Sequence, residues 1–306
     1  MSACSSRTRT WTRSRTRFSP PPSPSRSAKG AVMARPGFDP VEIGKTYDEN
    51  AAIRDGFGYG HLHMWYWYDD EDEAPLEEAV HRITRKVVDT LGVRPGEHVL
   101  DAGCGQGEPA RYLAREFGAR VTGVSVSAAE IDDAIRRTKG TDLADRVRFE
   151  YGDYTDLPYP DGTFDAVLVI EALMYSPDLD RALRELFRVL RPGGRISFSD
   201  FSLMPTADPK RIEKFMSTVK MNVLPSLPEW LDRVQDAGFG VEEHTQCGPR
   251  VYGKKSKYLK AAMARRDEIS TAVGDSTMSE FSRSLQGFYA PRKDDIGYVI
   301  ISARKP

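Results

Sequence analysis

Between residues 76 and 201, short apolar runs alternate with segments whose apolar residues recur every three to four positions. That alternation allows few architectures. Residues 76–91 carry apolar side chains at 76, 80, 83, 87, 88 and 91, the spacing of a helix with one buried face. Gly92 and Pro95-Gly96 stop it. Residues 98–102 then read as a buried strand, and a helix runs from the following glycine turn through Phe117. Further strands are predicted over 120–125, 147–151, 164–170 and 195–201, with helices over 127–138 and 179–190. The run 164–170 (FDAVLVI) is nearly all apolar, as a strand covered on both faces requires. Strand–helix alternation of this kind predicts an α/β fold, a Rossmann-like, parallel, doubly wound sheet. Beyond 201 the alternation loosens. Residues 202–226 and 248–292 read as helical cap insertions, 230–237 as a helix, and 241–243 and 297–304 as late strands. The two late strands would complete a sheet of seven, with the cap over its carboxyl edge.

Composition sets the outer limits. The chain has 306 residues, 40% hydrophobic and 29% charged, ample for a core. No run of about 18 apolar residues occurs, which excludes a transmembrane helix. Three cysteines, Cys4, Cys104 and Cys247, lie far apart. That spacing excludes a disulfide framework and a cysteine-based zinc site, and points to a reducing, cytoplasmic setting. Residues 1–38 hold eight basic side chains and no acid. Since the whole chain is −1, the remainder carries −9. A body of that charge is a poor nucleic-acid binder. The Ser-, Arg- and Pro-rich segment 1–37 has almost nothing to bury and is expected to be a disordered tail. Three readings of it stay open: an organellar leader, a polyanion-binding arm, or an extension upstream of a true start at Met33. Residues 38–90 are expected to form a helical and aromatic cap segment, and 91–306 the main domain.

The segment Asp101-Ala-Gly-Cys-Gly-Gln-Gly107 lies between the first strand and its helix. Gly103 and Gly105 permit a tight turn and close approach of a ligand to the backbone. The spacing is G-x-G-x-G rather than the G-x-G-x-x-G of a pyrophosphate loop. A carboxylate immediately before it repels phosphate and suits an ammonium group. An amino-acid-bearing nucleoside, S-adenosylmethionine, satisfies both features. Asp101 then faces the methionine ammonium. Ser125, at the end of the second strand, and Glu130, one turn into the next helix, are the candidates for the ribose hydroxyls. Asp153 ends the third strand and can accept from the adenine amine, with Tyr154 packing beside the ring. Ile170 and Glu171 end the fourth strand, toward the reactive end of the crevice.

The segments VLDAGCGQGEPARYLA, GDYTDLPYPDGTFDAV and ALRELFRVLRPGGRISFSDF together resemble the class I S-adenosylmethionine-dependent methyltransferases acting on small molecules. The resemblance covers residues 60–304. It is closest to the bacterial natural-product enzymes, including sugar O-methyltransferases of indolocarbazole biosynthesis, and the terminal GYVIISARKP resembles how those chains finish. Leu62-His-Met-Trp-Tyr-Trp67 resembles their LHxGYW segment, with Trp65 in place of the glycine. The resemblance implies that Tyr66 and Trp67 close over the methionine end of the cofactor.

The acceptor is less constrained. The sugar enzymes carry a His pair after the fourth strand, where this chain has Met174-Tyr175. Asp200 matches an acid those enzymes carry. Glu171-Ala-Leu-Met-Tyr175 resembles the ESTMY segment of geranyl diphosphate C-methyltransferases, in which the Glu is the base. Alkene methylation creates a carbocation, which aromatic faces stabilise. Tyr66, Trp67, Tyr175, Trp230, Tyr252, Tyr258, Phe288 and Tyr289 are expected near the cap for that purpose. The leading expectation is therefore C-methylation of a prenyl or terpenoid alkene with Glu171 as base and Tyr175 beside it. The alternatives are O-methylation of a sugar or polyketide hydroxyl, drawing on Asp200 and His63, N-methylation, and a cofactor-binding cyclase or binding module that transfers no methyl. His61 and His63 form no ligand set with other His or Cys, so no metal is expected. Lys254, Lys255, Lys257 and Arg250 read either as contacts for a diphosphate or as a solvated face. The expected partners are a small hydrophobic substrate and further copies of the chain, not nucleic acid or a membrane.

Overall fold

The computed structural model describes residues 37–49, 63–264, 267, 271 and 286–306. The basic tail up to residue 36, the alternative start at Met33, and His61 and Leu62 lie outside them. The elements follow in the order α1 (Pro40–Glu49), α2 (Leu76–Leu91), β1 (His98–Ala102), α3 (Glu108–Phe117), β2 (Arg120–Ser125), α4 (Ala128–Thr138), β3 (Val147–Tyr151), β4 (Phe164–Ile170), α5 (Leu179–Val189), β5 (Leu190–Leu203), α6 (Pro209–Val219), α7 (Leu227–Asp236), β6 (Gly240–Gln246), α8 (Lys255–Ala264) and β7 (Ile296–Arg304).

The sheet has seven strands in the order β3-β2-β1-β4-β5-β7-β6. The first five are parallel, as the alternation predicts. The last two correct it. β7 runs antiparallel to β5 and β6 antiparallel to β7. A parallel neighbour needs a crossover of a dozen or more residues. The chain instead inserts β7 between β5 and β6 as the last element. β5 also begins earlier than expected. Phe164 pairs with Leu190 and Ala166 with Arg195, so the Arg191-Pro-Gly-Gly194 turn is absorbed as a bulge, with Gly193 at φ +73°.

Two apolar layers cover the sheet. Ala166, Leu168 and Ile170 of β4 pack with Val80, Ile83, Val87 and Leu113 from α2 and α3. Val167 and Val169 point the other way, to Leu183, Leu186, Trp230 and Val234 from α5 and α7. This period of two with both faces covered explains why β4 reads as continuous apolar sequence. Fully burying each such Leu or Val contributes roughly 1.5–3 kcal/mol. α2 thus lies flat on the sheet rather than over its carboxyl edge; α1 supplies the helix there. No described helix is long and apolar enough to cross a membrane.

Candidate active site

The carboxyl ends of β1, β2, β3 and β4 open into one cleft of about 890 Å³, its mouth included. Of the expected site residues, Asp101, Gly103, Gly105, Ser125, Glu130, Asp153, Tyr154, Ile170, Glu171, Tyr175 and His63 all line it. Tyr66, Trp67 and Asp200 do not.

The glycine loop turns as its composition predicts. Gly103, Gly105 and Gly107 have φ of +81°, +51° and +77°, values that side chains strain to adopt. A Cβ on Gly103 would meet Ala172 Cβ at 2.4 Å, and one on Gly107 would meet the Phe149 ring at 2.3 Å. The loop is drawn tight against β2 because Gly103 N and Cys104 N both donate to Val124 O, each at 2.9 Å. Asp101 sits beneath it, 1% exposed, and its Oδ2 has no hydrogen-bond partner among the described residues. Burial pushes its carboxyl up to about 7, against the pull of the Ala110 N–H. A buried acid in this condition is completed by a cationic donor. The methionine ammonium of S-adenosylmethionine is such a donor, so the residues present fit that cofactor.

At the end of β2, Ser125 Oγ donates to Glu130 Oε2 at 2.9 Å. Ser127 caps α4, its Oγ accepting from Glu130 N at 3.1 Å. The cap fixes the first turn of α4, and that turn presents Glu130 to the cleft. Asp153 accepts from Thr155 N at 2.8 Å and Tyr154 OH donates to Ala172 O at 2.7 Å. Each of the first three parallel strands therefore ends in a carboxylate, or in a hydroxyl tied to one, on the same cleft wall.

Glu171 follows β4, next to the Ala172 that packs on Gly103. Its φ is +50°, one of two positive values outside glycine among the described residues. Its N–H donates to Ser199 O at 2.8 Å. Both donors to its carboxylate fall on Oε1: Met64 N at 2.7 Å and Tyr298 OH at 2.6 Å. Burial pushes the carboxyl up to about 8; the two donors pull it down and buried Asp200 raises it again.

Three expected residues take other roles. Asp200 is fully buried, and its carboxylate accepts from Phe201 N at 2.8 Å and Met174 N at 3.0 Å. It holds the single turn Leu173–Tyr175 that follows Glu171, rather than meeting the cleft. Tyr66 and Trp67 are buried in the core. Tyr66 OH accepts from Arg250 at 2.8 Å, with Lys86 Nζ 4.3 Å from the ring centre, and Trp67 Nε1 donates to Ala74 O at 2.9 Å. Trp65 stacks on Tyr258 at 4.1 Å. An aromatic run that packs on the protein and one that packs on a ligand have the same sequence signature.

His63 does line the cleft, but as a poor base. A carbonyl only accepts, so the contact of Nδ1 with Met64 O at 2.9 Å places the hydrogen on Nδ1, and Nε2 lies 2.8 Å from Thr84 Oγ1. Burial drives its pKa down to about 4. The basic cluster is also turned away. Lys254 pairs with Asp70, Lys255 donates to Pro291 O at 2.8 Å, and Lys257 donates to Asp72 O. Of the eight aromatics expected at the acceptor, Tyr175 alone lines the cleft. Trp230 is buried under β5, its Nε1 donating to Phe201 O, and Tyr252 and Phe288 pack on one another and on Phe215. No group of three or more His, Cys, Asp or Glu suited to a metal occurs among the described residues.

The sequence placed a helical cap over 38–90 but did not show that its first helix, α1, lines the site. Pro40 and Ile43 line the cleft, and so do Gln106, Pro109 and Pro177. The side-chain amide of Asn222 ties α1 down: it accepts from Phe38 N at 2.8 Å and donates to Phe38 O at 2.9 Å and Tyr175 O at 2.7 Å.

The chain is similar to known proteins along nearly its whole length. A methyltransferase-domain family matches residues 100–198. The 27-O-demethylrifamycin SV methyltransferase of Amycolatopsis mediterranei is 37% identical over 273 residues, covering 87% of this chain and 98% of that protein. Among solved structures, the cyclase SpnF superposes with a TM-score of 0.76 at 26% identity, over 91% of this chain and 99% of that one. Geranyl diphosphate C-methyltransferase from Streptomyces coelicolor A3(2) superposes with a TM-score of 0.68 at 24% identity, over 89% of this chain and all of that one. Fold, glycine loop and sequence similarity agree: the chain belongs to the class I S-adenosylmethionine-dependent methyltransferases, enzymes that methylate small-molecule metabolites.

Proposed function

We propose that the protein O-methylates a hydroxyl of a bulky, uncharged metabolite, with Glu171 as the base. The observation that carries this is the hold on Glu171. Two donors on Oε1 fix the carboxyl at the cleft wall, and Oε2 carries neither bond. Its pKa of about 8 lies close to working pH, where a base combines availability with proton affinity. When bound, S-adenosylmethionine supplies an electrophilic methyl on a sulfonium. Glu171 removes the hydroxyl proton, Tyr175 lines the acceptor side, and Asp101 anchors the amino-acid end of the cofactor.

The charge of the cleft favours this acceptor over a prenyl diphosphate. Its described lining has the carboxyls of Asp101, Glu130, Asp153 and Glu171 and no Lys or Arg. A diphosphate requires cations, and the candidate lysines are engaged elsewhere. Of the aromatic faces expected to stabilise a carbocation, all but Tyr175 are packed within the protein away from the cleft lining. The 37% identity to a methyltransferase named for an oxygen position of rifamycin supports the same chemistry.

The test offers the purified protein, with S-adenosylmethionine, a hydroxylated macrolactam and geranyl diphosphate in parallel. A methyl ether of the macrolactam, formed with one equivalent of S-adenosylhomocysteine, is expected. Methylation at carbon of geranyl diphosphate alone would restore the alkene reading. An isomerised macrocycle with no S-adenosylhomocysteine would mean a cyclase.

A further inference from the structure

Tyr298 enters from β7, the antiparallel strand that the alternating pattern does not foresee. It is fully buried, its ring edge-on to Phe201 at 5.6 Å. Its hydroxyl lies 2.6 Å from Glu171 Oε1 and 2.9 Å from Ser199 Oγ. Tyr298 has one proton. The short contact to a carboxylate is the charge-assisted one, so Tyr298 donates to Glu171 and Ser199 donates to Tyr298. The result is a buried chain of hydroxyls, Ser199 to Tyr298 to Glu171, that ends on the oxygen also held by Met64 N–H. Ser199 in turn belongs to the residue pair that fixes the Glu171 backbone, since Ser199 O accepts from Glu171 N.

We propose that Tyr298, backed by Ser199, is the positioning residue for the methyl-transfer base, holding Glu171 by Oε1 and favouring its ionised form, whose Oε2 takes the acceptor's proton. The inference rests on the reading of Glu171 as base. The hydroxyl suits this task because burial, and then the Glu171 charge, hold its own pKa well above the ordinary phenol range, so it stays a donor throughout. The other titratable groups that face the pair are few. Asp200 on β5 acts on Glu171, and Cys247, just after β6, acts on Tyr298. His63 shares the cleft as a neutral ring. None of these donates a hydrogen bond to Oε1, so loss of the Tyr298 hydroxyl leaves Met64 N–H as the one donor among the described residues.

The experiment compares the full-length protein with Tyr298→Phe, Ser199→Ala and Glu171→Gln. Glu171 is titrated in the cofactor-free protein by carbon-13 NMR of the glutamate carboxyls, and Glu171→Gln identifies its resonance. Losing one donor to a buried carboxylate is expected to move the midpoint of Tyr298→Phe upward by roughly one pH unit. Ser199→Ala is expected to move it the same way by less. In turnover, the rising limb of the kcat profile of Tyr298→Phe shifts to higher pH by the same amount. That is about a tenfold loss at pH 7 that shrinks as pH rises, with KM for S-adenosylmethionine unchanged. A midpoint that stays put or falls, or a loss equal at every pH, overturns the inference. If Tyr298→Phe does not fold, Ser199→Ala decides by the same two readouts. Undiminished turnover by Glu171→Gln would instead defeat the base assignment; the NMR midpoint then still reports whether Tyr298 governs Glu171.

Discussion

Gly44 rests directly on the carbonyl of Val126: a Cβ built on Gly44 would lie 2.4 Å from that oxygen. This contact seats α1 over the loop that joins β2 to α4, and it places Pro40 and Ile43 at the cleft wall. Gly44→Ala strengthens α1 as a helix by up to ~1 kcal/mol, yet it must lift the helix from Val126. The variant is expected to keep its helical circular dichroism and to bind S-adenosylhomocysteine roughly fivefold to tenfold more weakly by calorimetry, about 1 kcal/mol. Unchanged affinity would mean that α1 does not contribute to the cofactor wall.

Asp101→Asn keeps the shape of the side chain and removes the charge. A hydrogen bond to a charged group is worth ~1.5–3 kcal/mol, so cofactor affinity should fall by about 10- to 100-fold. The cofactor-free variant should melt higher than the parent at pH 8, because an ionisable group without a partner has left the interior. A variant that both binds normally and melts lower would contradict the assignment of Asp101 to the ammonium.

Buried acids also fix a pH dependence. Asp101 and Asp200 at about 7 and Glu171 at about 8 lie above their unfolded values of 3.8 and 4.5. Between those limits the folded chain binds more protons than the unfolded one, so stability falls as pH rises. His63, lowered from 6.5 to about 4, acts oppositely, adding stability as pH rises through that interval. From about pH 6.5 to 8 only the carboxyls titrate among these four. The melting temperature of the cofactor-free protein is expected to drop across that window, and S-adenosylhomocysteine should restore more of it at pH 8 than at pH 6.5. Calorimetric scans at the two pH values check both signs.

Tyr66→Phe removes a hydroxyl whose partner is Arg250, outside the cleft. Stability should decrease by ~0.5–1.5 kcal/mol, while S-adenosylhomocysteine affinity stays within about twofold of the parent, less than 0.5 kcal/mol. A tenfold weaker cofactor complex would return Tyr66 to the methionine end, where the LHxGYW resemblance places it.

The sequence made the parallel half of the sheet legible because each strand there is bounded by its own glycine or helix signal. It also made one wall of the cleft legible, since Asp101, Ser125 and Asp153 stand at or just past strand ends, and a strand end fixes where a side chain points. What it could not carry was direction across long separations. Nothing local tells that 297–304 returns antiparallel beside β5, so Tyr298 was invisible as a partner of Glu171. The same limit governs Asp200. One residue beyond Ser199 the strand pleat reverses the side chain, and the carboxylate goes to backbone N–H groups instead of the cleft. Tyr66 and Trp67 read as closing over the cofactor, but burial against Arg250 and Ala74 and burial against a cofactor share one composition.

Glu171 has a left-handed backbone, at φ +50°. A glycine would adopt that conformation without the penalty of about 1–2 kcal/mol that a side chain incurs. If Glu171 is the base we propose, the protein keeps it at a position where the thermodynamically preferred residue is an inert one. Selection for heat resistance alone would drive this position toward Gly and silence the enzyme, whereas a library screened for turnover should retain Glu and find its stabilising changes elsewhere. Position 171 is thus a place where durability and chemistry pull in opposite directions.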